Sequence, residues 1–232
     1  MSPNFNHAFI SLIPKIKNPE KAKDFRLISL CNVLYKIIAK TIANHFKKLL
    51  PKLVSETQSA YMSNRLISDN ILVAFETLHH LKSKRRGKSE FMVLKLDMSK
   101  AYDRVEWIFL EKIIEKLGFN GKWISLISSC IHSVSFSIMI NGKPHGHFHP
   151  QRGLRQGGPL SPYLFLLCAE GLHSLIQQAK NSGTLNEVSL RSSGPKVSHL
   201  FFANDSSLFA RANLTNCSTI MDILAIYKLA LG

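Results

Sequence analysis

The stretch "HLFFANDSSLFA" (199–210) gives the first indication of the fold, because two apolar runs meet there around a short polar pair. Aromatic and aliphatic residues lead into Asn204 and Asp205 and out again. Asn and Asp tolerate turn geometry, so the pattern predicts two antiparallel strands joined by a tight turn at this pair. A carboxylate then lies at the tip of the hairpin, and the rest of the sequence must say whether its role is structural or chemical.

The composition indicates a partner that carries negative charge. The chain has 232 residues, 45% of them hydrophobic, which allows a sizeable core in one large domain or two interleaved lobes. Lysine and arginine outnumber aspartate and glutamate by 30 to 15, so the net charge is +15. This excess favours nucleic acid as the partner, although a solvated basic surface or an anionic membrane would also account for it.

The sequence predicts an intracellular protein, nuclear or cytoplasmic, that is neither secreted nor bound to a membrane. No stretch reaches the roughly 18 uninterrupted apolar residues of a membrane span, and the N-terminal residues lack the pattern of a signal peptide. Widely separated cysteines without a CxxC pair are typical of reduced thiols (Cys31, Cys130, Cys168 and Cys217).

Helices and strands interleave without regular alternation, which favours the α+β class. Apolar spacing and capping residues predict helices at 31–50, from Ser68-Asp69 to about Lys82, at 102–118, at 121–131, from Ser161-Pro162 onward and at 214–230. In the first helix the spacing predicts an apolar face that includes Val33 and Ile37 and a polar face that includes Lys36 and Lys40. We expect Pro51 to end this helix and Asn141-Gly142 to turn a β-hairpin.

Asp97 lies at the end of "EFMVLKLDM" (90–98), a short apolar run that predicts a buried strand. A carboxylate leaving such a strand is costly unless it is paired or binds a metal, although it could also cap the following turn. Asp103 and Glu106 form a D-x-x-E pattern typical of a capping box, so we expect a structural role for Asp103.

Two further stretches carry candidate chemistry. "RGLRQGGPLSP" (152–162) is a basic, glycine-rich loop that enters a helix; it suits close approach to a phosphate or a base and fits a plain turn equally well. "HGHFH" (145–149) could present three imidazoles to zinc, but an exposed strand is the better interpretation. Two-metal phosphoryl transfer needs acids from separate strands, as Asp97 and Asp205 would supply.

Five blocks follow one another over nearly all of the chain: "LIPKIKNPEKAKDFRLISLCNVLYKIIAK", "QSAYMSNRLISDN", "LKLDMSKAYDRVEW", "RGLRQGGPLSP" and "HLFFANDSSLF". In this order they resemble the reverse transcriptase of plant LINE-type non-LTR retrotransposons. The resemblance implies a right-hand polymerase with fingers and an antiparallel palm sheet packed on helices. It implies fingers-like residues at 1–90 and 118–153, palm-like residues at 91–117 and 154–232, and no thumb in this sequence.

The resemblance also implies a metal site. Asp97 and Asp205 correspond to metal-binding acids, and the Met98 carbonyl would join them in holding two Mg²⁺ ions. Tyr102 corresponds to the aromatic residue that packs under the sugar and excludes a 2′-hydroxyl. These roles imply an RNA template, a DNA primer or duplex, and deoxynucleoside triphosphates as partners.

Further positions correspond to residues that contact the nucleotide or the strand. Gln156 and Gly157 match the loop that supports the incoming nucleotide, and Arg26 and Lys15 match basic fingers positions that clamp the triphosphate. Arg65 matches a basic position that faces the nucleic-acid strand. Attraction between a basic side chain and negatively charged phosphates is the physical reason for each of these roles.

The chain departs from the family at several positions. Asn204 stands where the family has the first tip aspartate, so the site loses a full negative charge that a magnesium ligand would supply. Leu27 replaces a usual Pro, Ser63-Asn64 a usual Pro-Gly, and Gly158 a common Asp.

We therefore expect a reverse transcriptase domain, that is an RNA-directed DNA polymerase, in a copy whose catalysis Asn204 and truncation impair. The alternative is a non-catalytic RNA- or DNA-binding module with the same fold, and an intron-maturase relative is a third possibility. The sequence leaves the oligomeric state open.

Overall fold

The computed structural model describes residues 3–83, 90–189 and 196–232. The helices are α1 Val33–Leu53, α2 Ile67–Ser83, α3 Ala101–Arg104, α4 Trp107–Lys116, α5 Gly121–His132, α6 Ser161–Asn181 and α7 Leu214–Leu231. The strands are β1 His7–Pro14, β2 Phe25–Cys31, β3 Phe91–Asp97, β4 Ser135–Ile140, β5 Lys143–Phe148, β6 Val188–Ser189, β7 Lys196–Val197, β8 His199–Phe202 and β9 Asp205–Arg211.

Most predicted elements are confirmed. Asn120 caps α5 by accepting hydrogen bonds from the backbone N–H groups that follow it. Asn141 and Gly142 join β4 to β5 with positive φ angles of 50° and 77°, as a type I′ turn requires. The hairpin at 199–210, the long helix from Ser161 and the last helix also form where the pattern predicts them.

The first helix differs from its prediction in both its end and its buried face. Pro51 lies inside the last turn of α1, which continues to Leu53, so the prediction that Pro51 ends the helix is wrong. Val33 is 70% and Ile37 is 58% exposed. The predicted apolar face is therefore wrong at its start, where Tyr35 is buried instead.

The predicted helix over 102–118 is two helices, α3 and α4, with a break at Val105 and Glu106. Val105 is fully buried, and Glu106 has an extended backbone that starts α4 as its N-cap without a side-chain cap bond. The expected capping box of Asp103 and Glu106 is therefore wrong, because the two residues belong to different helices.

One compact unit comprises Met1–Lys48 and Tyr102–Phe165. Its sheet has the order β2-β1-β4-β5, with β1 parallel to β4 and the other neighbours antiparallel. Ala8, Ile10, Val134 and Phe136 form its buried centre. Strands β1 and β2 have no counterpart among the predicted elements, since each is a short apolar run without a turn pair beside it.

The other unit comprises Leu49–Ala101 and Leu166–Gly232. Its antiparallel sheet has the order β3-β9-β8 and contacts α2 through β8, as the α+β prediction requires. Phe201 and Phe209 are buried in its core. In contrast, Val93 and Leu94 of the edge strand β3 are 39% and 37% exposed, so the prediction that β3 is buried is wrong.

The bounds of the two units differ from the predicted fingers-like and palm-like ranges, and that division stays a prediction.

Among the described residues, α7 is long and apolar enough to cross a membrane by length and composition alone. Only 28% of this helix is buried. The prediction that the chain has no membrane contact therefore remains a prediction. Free thiols are seen at Cys31, Cys130, Cys168 and Cys217, as the cysteine spacing indicates.

Candidate functional site

Two carboxylates face each other across neighbouring strands. Asp97 is the last residue of β3, Asp205 is the first of β9, and the register pairs them directly. Side chains of directly paired residues in an antiparallel sheet point to the same face and lie close together. Both residues are exposed, so solvent and a ligand can reach this pair.

Asn204, the residue before Asp205, is hydrogen-bonded to the end of β3 and to the residue that follows it. Its side-chain Nδ2 donates a hydrogen bond to Asp97 Oδ1 at 3.2 Å. Its backbone carbonyl accepts a weaker hydrogen bond from the Met98 N–H at 3.4 Å. Asn204 therefore presents a neutral N–H group, rather than an anionic oxygen, to the Asp97 carboxylate.

The residues at this tip fit a divalent cation in part. The carboxylates of Asp97 and Asp205 and the backbone carbonyl of Met98 contain hard oxygen atoms, the ligand type that Mg²⁺ prefers. In the part of the chain that the structure describes, no group of three or more His, Cys, Asp or Glu could hold a metal. Proteins bind Mg²⁺ through as few as one or two carboxylates when substrate phosphates and water complete the coordination, so a weak, substrate-assisted site fits these residues.

The turn of the hairpin is one residue earlier than predicted. Ala203 and Asn204 form the two-residue turn, and Asp205 already belongs to β9. Ala203 has a positive φ of 53°, a conformation that a residue with a Cβ adopts at a cost. The predicted turn at Asn204-Asp205 is therefore wrong by one residue, and the correction places Asp205 opposite Asp97.

Arg65 lies in the same unit and is half-buried. Its Nη1 donates hydrogen bonds to the backbone carbonyls of Ser55 and Gln58, the second at 2.7 Å. Next to it, Asn64 has a positive φ of 63°, which asparagine tolerates better than most residues. Ser63-Asn64 can therefore form this turn in place of the usual Pro-Gly. A contact between Arg65 and a nucleic-acid strand stays a prediction.

Gln156 and Gly157 lie in the loop before α6, in the other unit. The Gln156 carbonyl accepts a hydrogen bond from the Ser29 N–H on β2 at 2.9 Å, and its Nε2 makes a long contact of 3.5 Å to Asp103 Oδ1. Gly157 is exposed and has a φ of 91°, which favours glycine. A cavity of about 230 Å³ adjoins this loop, and Asp103 and Gln156 are among its lining residues.

The remaining predicted residues of this unit lie on its surface or near the loop. The Tyr102 ring stacks on Phe165 with 5.1 Å between ring centroids. Arg26 is exposed on β2. Lys15 is exposed just after β1, and its Nζ donates to the Lys23 carbonyl at 3.0 Å. The geometry leaves the roles of these three residues as predictions.

A buried arginine that no sequence motif marks as functional holds the same loop. Arg155 donates from Nη2 to Asn6 Oδ1 and, at 3.2 Å, to the Cys130 carbonyl. Its guanidinium lies 3.7 Å from the centroid of the Tyr35 ring. Burial raises the pKa of Tyr35 to about 12, although the Arg155 charge lowers it, so this ring stays a neutral face for the cation. The only sequence signal for this role was a second arginine in the "RGLRQGG" loop.

The histidines of "HGHFH" lie on β5 and just after it, and the strand is exposed, as predicted. The His7 and His147 rings stack with 5.2 Å between centroids, and His149 Nδ1 contacts the Val134 carbonyl at 3.1 Å. One nitrogen of His149 and one ring face of His147 are therefore engaged locally, and among the described residues no group of three or more His, Cys, Asp or Glu could hold zinc.

Comparison with known proteins relates most of the chain to one family. Residues 13–227 match the family described as reverse transcriptase (RNA-dependent DNA polymerase). The chain is 30% identical over 184 residues to the transposon TX1 uncharacterized 149 kDa protein of Xenopus laevis, covering 79% of this chain and 14% of that protein. It is 22% identical over 221 residues to a Pol polyprotein from the R2 retrotransposable element of Popillia japonica, covering 94% of this chain and 29% of that protein.

An uncharacterized mitochondrial protein of Arabidopsis thaliana is 49% identical over 70 residues, which are 30% of this chain and 57% of that protein. The chain thus spans 14% to 57% of the length of these relatives. Among solved structures, apo telomerase of Candida tropicalis truncated from its C-terminal domain superposes with a TM-score of 0.64 at 17% identity, over 97% of this chain and 47% of that one. Telomerase of Candida albicans, solved with a fragment of telomeric RNA, gives a TM-score of 0.60 at 16% identity, over 95% of this chain and 40% of that one. These structural similarities support the fold.

Proposed function

Because this chain belongs to the reverse transcriptase (RNA-dependent DNA polymerase) family, we propose that its ancestral reaction is RNA-templated addition of deoxynucleotides to a DNA primer. We propose further that it derives from a plant LINE-type non-LTR retrotransposon, which the identity to the Arabidopsis protein supports. The observation that carries the catalytic proposal is the direct pairing of Asp97 with Asp205 at one end of an antiparallel sheet.

In this proposal the carboxylates of Asp97 and Asp205 and the carbonyl of Met98 hold the divalent cations. When bound, such cations stabilise the negative charge on the attacking and leaving oxygens. Asp97 and Asp205 suit this role because they are exposed on one face of the sheet, next to the turn.

The other proposed roles belong to the unit with the four-stranded sheet. Tyr102 would lie under the sugar, and Gln156 and Gly157 would support the incoming nucleotide. Gly157 suits close approach because it is exposed and has no side chain. Arg26 and Lys15 would neutralise the triphosphate, since their side chains are exposed cations. The proposed fingers-like ranges are 1–90 and 118–153, and the proposed palm-like ranges are 91–117 and 154–232.

We propose that Asn204 impairs catalysis in this copy. The hydrogen bond from Asn204 Nδ2 to Asp97 Oδ1 occupies an oxygen that a cation would use. Electrostatic stabilisation is the main source of rate acceleration in phosphoryl transfer, so the missing charge should reduce the rate of the chemical step. The alternative, a non-catalytic module that binds RNA or DNA inside the cell, is favoured by the same residue and by the net charge of +15.

Primer extension on a purified RNA template and DNA primer tests the catalytic proposal. We expect extension near background for the unaltered chain in Mg²⁺ or Mn²⁺, and extension above background for Asn204→Asp. Adding Asp97→Asn to that variant should remove the gain, whereas Asp222→Asn, an exposed acid on α7, should not. Extension that Asp97→Asn leaves unchanged would contradict the assignment of the site.

Binding to RNA or to an RNA–DNA duplex should depend steeply on salt. Each phosphate neutralised by Lys or Arg releases counterions, so a protein with about 6–10 phosphate contacts loses roughly 10³–10⁵ in affinity between 50 and 200 mM salt. Fluorescence anisotropy with a labelled duplex measures the slope. We propose that the exposed Lys36 and Lys40 of α1 each contact a phosphate, so the double variant Lys36→Gln/Lys40→Gln should reduce the magnitude of the slope by about 2. Lys228→Gln, at an exposed lysine on α7, is the control and should leave the slope unchanged. A salt-independent affinity, or strong preference for one short sequence, would contradict this binding mode.

A further inference from the structure

The backbone N–H of Ala203 has an unusual partner for the first residue of a two-residue hairpin turn. That N–H lies outside the ladder of hydrogen bonds between β8 and β9 and would ordinarily face water. Here it donates to the side-chain Oε1 of Gln58, at 3.1 Å, across a sequence separation of 145 residues. The contact reaches the turn that carries Asn204 and precedes Asp205.

Gln58 is itself held in place from several sides. It is fully buried, and its Oε1 also accepts a hydrogen bond from the Ala60 N–H at 2.9 Å. Its backbone forms a parallel bridge with Phe201 of β8, and its carbonyl accepts a hydrogen bond from Arg65 at 2.7 Å. The side-chain oxygen is therefore a fixed acceptor aimed at the turn.

The neighbouring backbone strengthens this attachment. The Phe201 N–H donates to the Thr57 carbonyl at 2.8 Å, and the Ser59 N–H donates to the Phe201 carbonyl at 3.1 Å. The Asn70 side chain donates to the same Phe201 carbonyl at 2.8 Å. Residues 57–59 thus extend the edge of the sheet at β8, so Gln58 is fixed to the strand that leads into the turn.

The chemistry of Gln58 indicates that its oxygen matters more than its bulk. Its Nε2 is buried, and among the described residues it has no hydrogen-bond partner. A buried amide that leaves its own donors unpaired carries a penalty, which a hydrocarbon side chain of similar length would avoid. The glutamine oxygen, in contrast, satisfies two backbone N–H groups and stabilises Ala203 at its costly φ of 53°.

We propose that Gln58 is a positioning residue for the tip, and that Arg65 supports it by holding the Gln58 carbonyl. By fixing Ala203, the Gln58 oxygen sets where Asn204 and Asp205 stand relative to Asp97. The inference rests on the proposed function, because the position of Asp205 matters for a metal only if Asp97 and Asp205 share one. It gives Arg65 a role within the fold in addition to its predicted contact with nucleic acid.

Amide hydrogen exchange, measured by NMR without nucleic acid or metal, tests the contact itself. In the unaltered chain we expect the Ala203 amide to be protected as strongly as amides of the β8–β9 ladder. Gln58→Met, which keeps length and removes the acceptor, should accelerate exchange at Ala203 by roughly tenfold or more, the equivalent of one hydrogen bond. Gln58→Glu keeps an acceptor oxygen and should retain protection, and Gln178→Met, at an exposed glutamine on α6, should change nothing.

Mn²⁺ affinity in the Asn204→Asp background tests the consequence for the site. Gln58→Met should weaken Mn²⁺ binding by roughly tenfold, and Gln58→Glu should not. Adding Ala203→Gly to the Gln58→Met variant should restore most of the lost affinity, because glycine adopts a positive φ without the Gln58 hydrogen bond. If Gln58→Met instead damaged the fold in general, the glycine would not restore Mn²⁺ binding.

The two measurements separate failure of this inference from failure of the proposed function. An unprotected Ala203 amide in the unaltered chain would overturn the role of Gln58, and this result needs no variant to fold. Equal loss of Mn²⁺ affinity in Gln58→Met and Gln58→Glu would overturn it as well. If no variant binds Mn²⁺ while the Ala203 amide is protected, the proposed metal site is contradicted and the hydrogen bond between Gln58 and Ala203 is supported.

Discussion

Asn204→Asp is expected to raise the affinity of the chain for Mg²⁺ or Mn²⁺ by roughly 100-fold. Even outer partners of a metal ligand are worth roughly 10–100-fold in affinity, and a direct anionic ligand should be worth at least as much. In the unaltered chain the Asn204 amide donates to Asp97 Oδ1 at 3.2 Å. The substitution converts this attraction into repulsion between two carboxylates, which a divalent cation between them relieves.

Isothermal titration calorimetry, or Mn²⁺ titration followed by electron paramagnetic resonance, measures this affinity directly. Asn213→Asp is a matched control: Asn213 is exposed, caps α7 and carries the same side chain, and aspartate is an equally good cap. The control adds the same charge away from Asp97 and should leave the affinity unchanged. Equal affinities for Asn204→Asp and the unaltered chain would show that Asn204 acts only as a turn residue.

The part of the candidate site that could be predicted from sequence is the part encoded locally. The apolar run before Asp97 predicts a strand, and the apolar runs around Asn204 and Asp205 predict a hairpin. Two strand ends with acids then suggest one site, and the structure places Asp97 directly opposite Asp205. The one-residue error in the turn arose because Ala203 takes a positive φ, which local preference assigns to asparagine or glycine.

What the sequence could not predict depends on contacts between distant residues. Gln58 and Ala203 are 145 positions apart, and Arg155 and Asn6 are 149 apart. A single buried polar residue produces no periodic pattern in the sequence. The residues around Gln58 therefore give no sign that its side chain is buried and bonded to a distant turn. Likewise, the exposure of Val93 follows from the edge position of β3, which the run itself does not encode.

A fall in pH from 7.5 to 5 is expected to lower the free energy of unfolding by roughly 2 kcal/mol through His199 alone. His199 is almost fully buried; its Nε2 lies 2.8 Å from His173 Nδ1 and its Nδ1 lies 2.9 Å from Ser198 Oγ. Burial, with smaller contributions from the charges of His173 and Lys180, lowers the pKa of His199 to about 3. Burial lowers the pKa of His173 as well.

The sign follows from which state binds the proton. Unfolded histidine has a pKa near 6.5, so between about pH 6.5 and 3 the unfolded state binds a proton that folded His199 does not. The stabilising contribution of His199 is therefore complete above pH 6.5 and is lost progressively as the pH falls toward 3. Protonating both rings would place two cations at hydrogen-bond distance, so a charge on His173 lowers the pKa of His199 further than burial alone does.

Urea unfolding at pH 7.5 and pH 5, followed by circular dichroism, measures this loss. His199→Gln removes the titrating group and keeps hydrogen-bonding capacity, so the difference in unfolding free energy between the two pH values should shrink by roughly 2 kcal/mol. His145→Gln, at an exposed histidine on β5, should leave the difference as it is in the unaltered chain. An identical pH dependence in His199→Gln and the unaltered chain would mean that His199 takes up its proton over the same pH range in the folded and unfolded states, which would contradict the expected effect of burial.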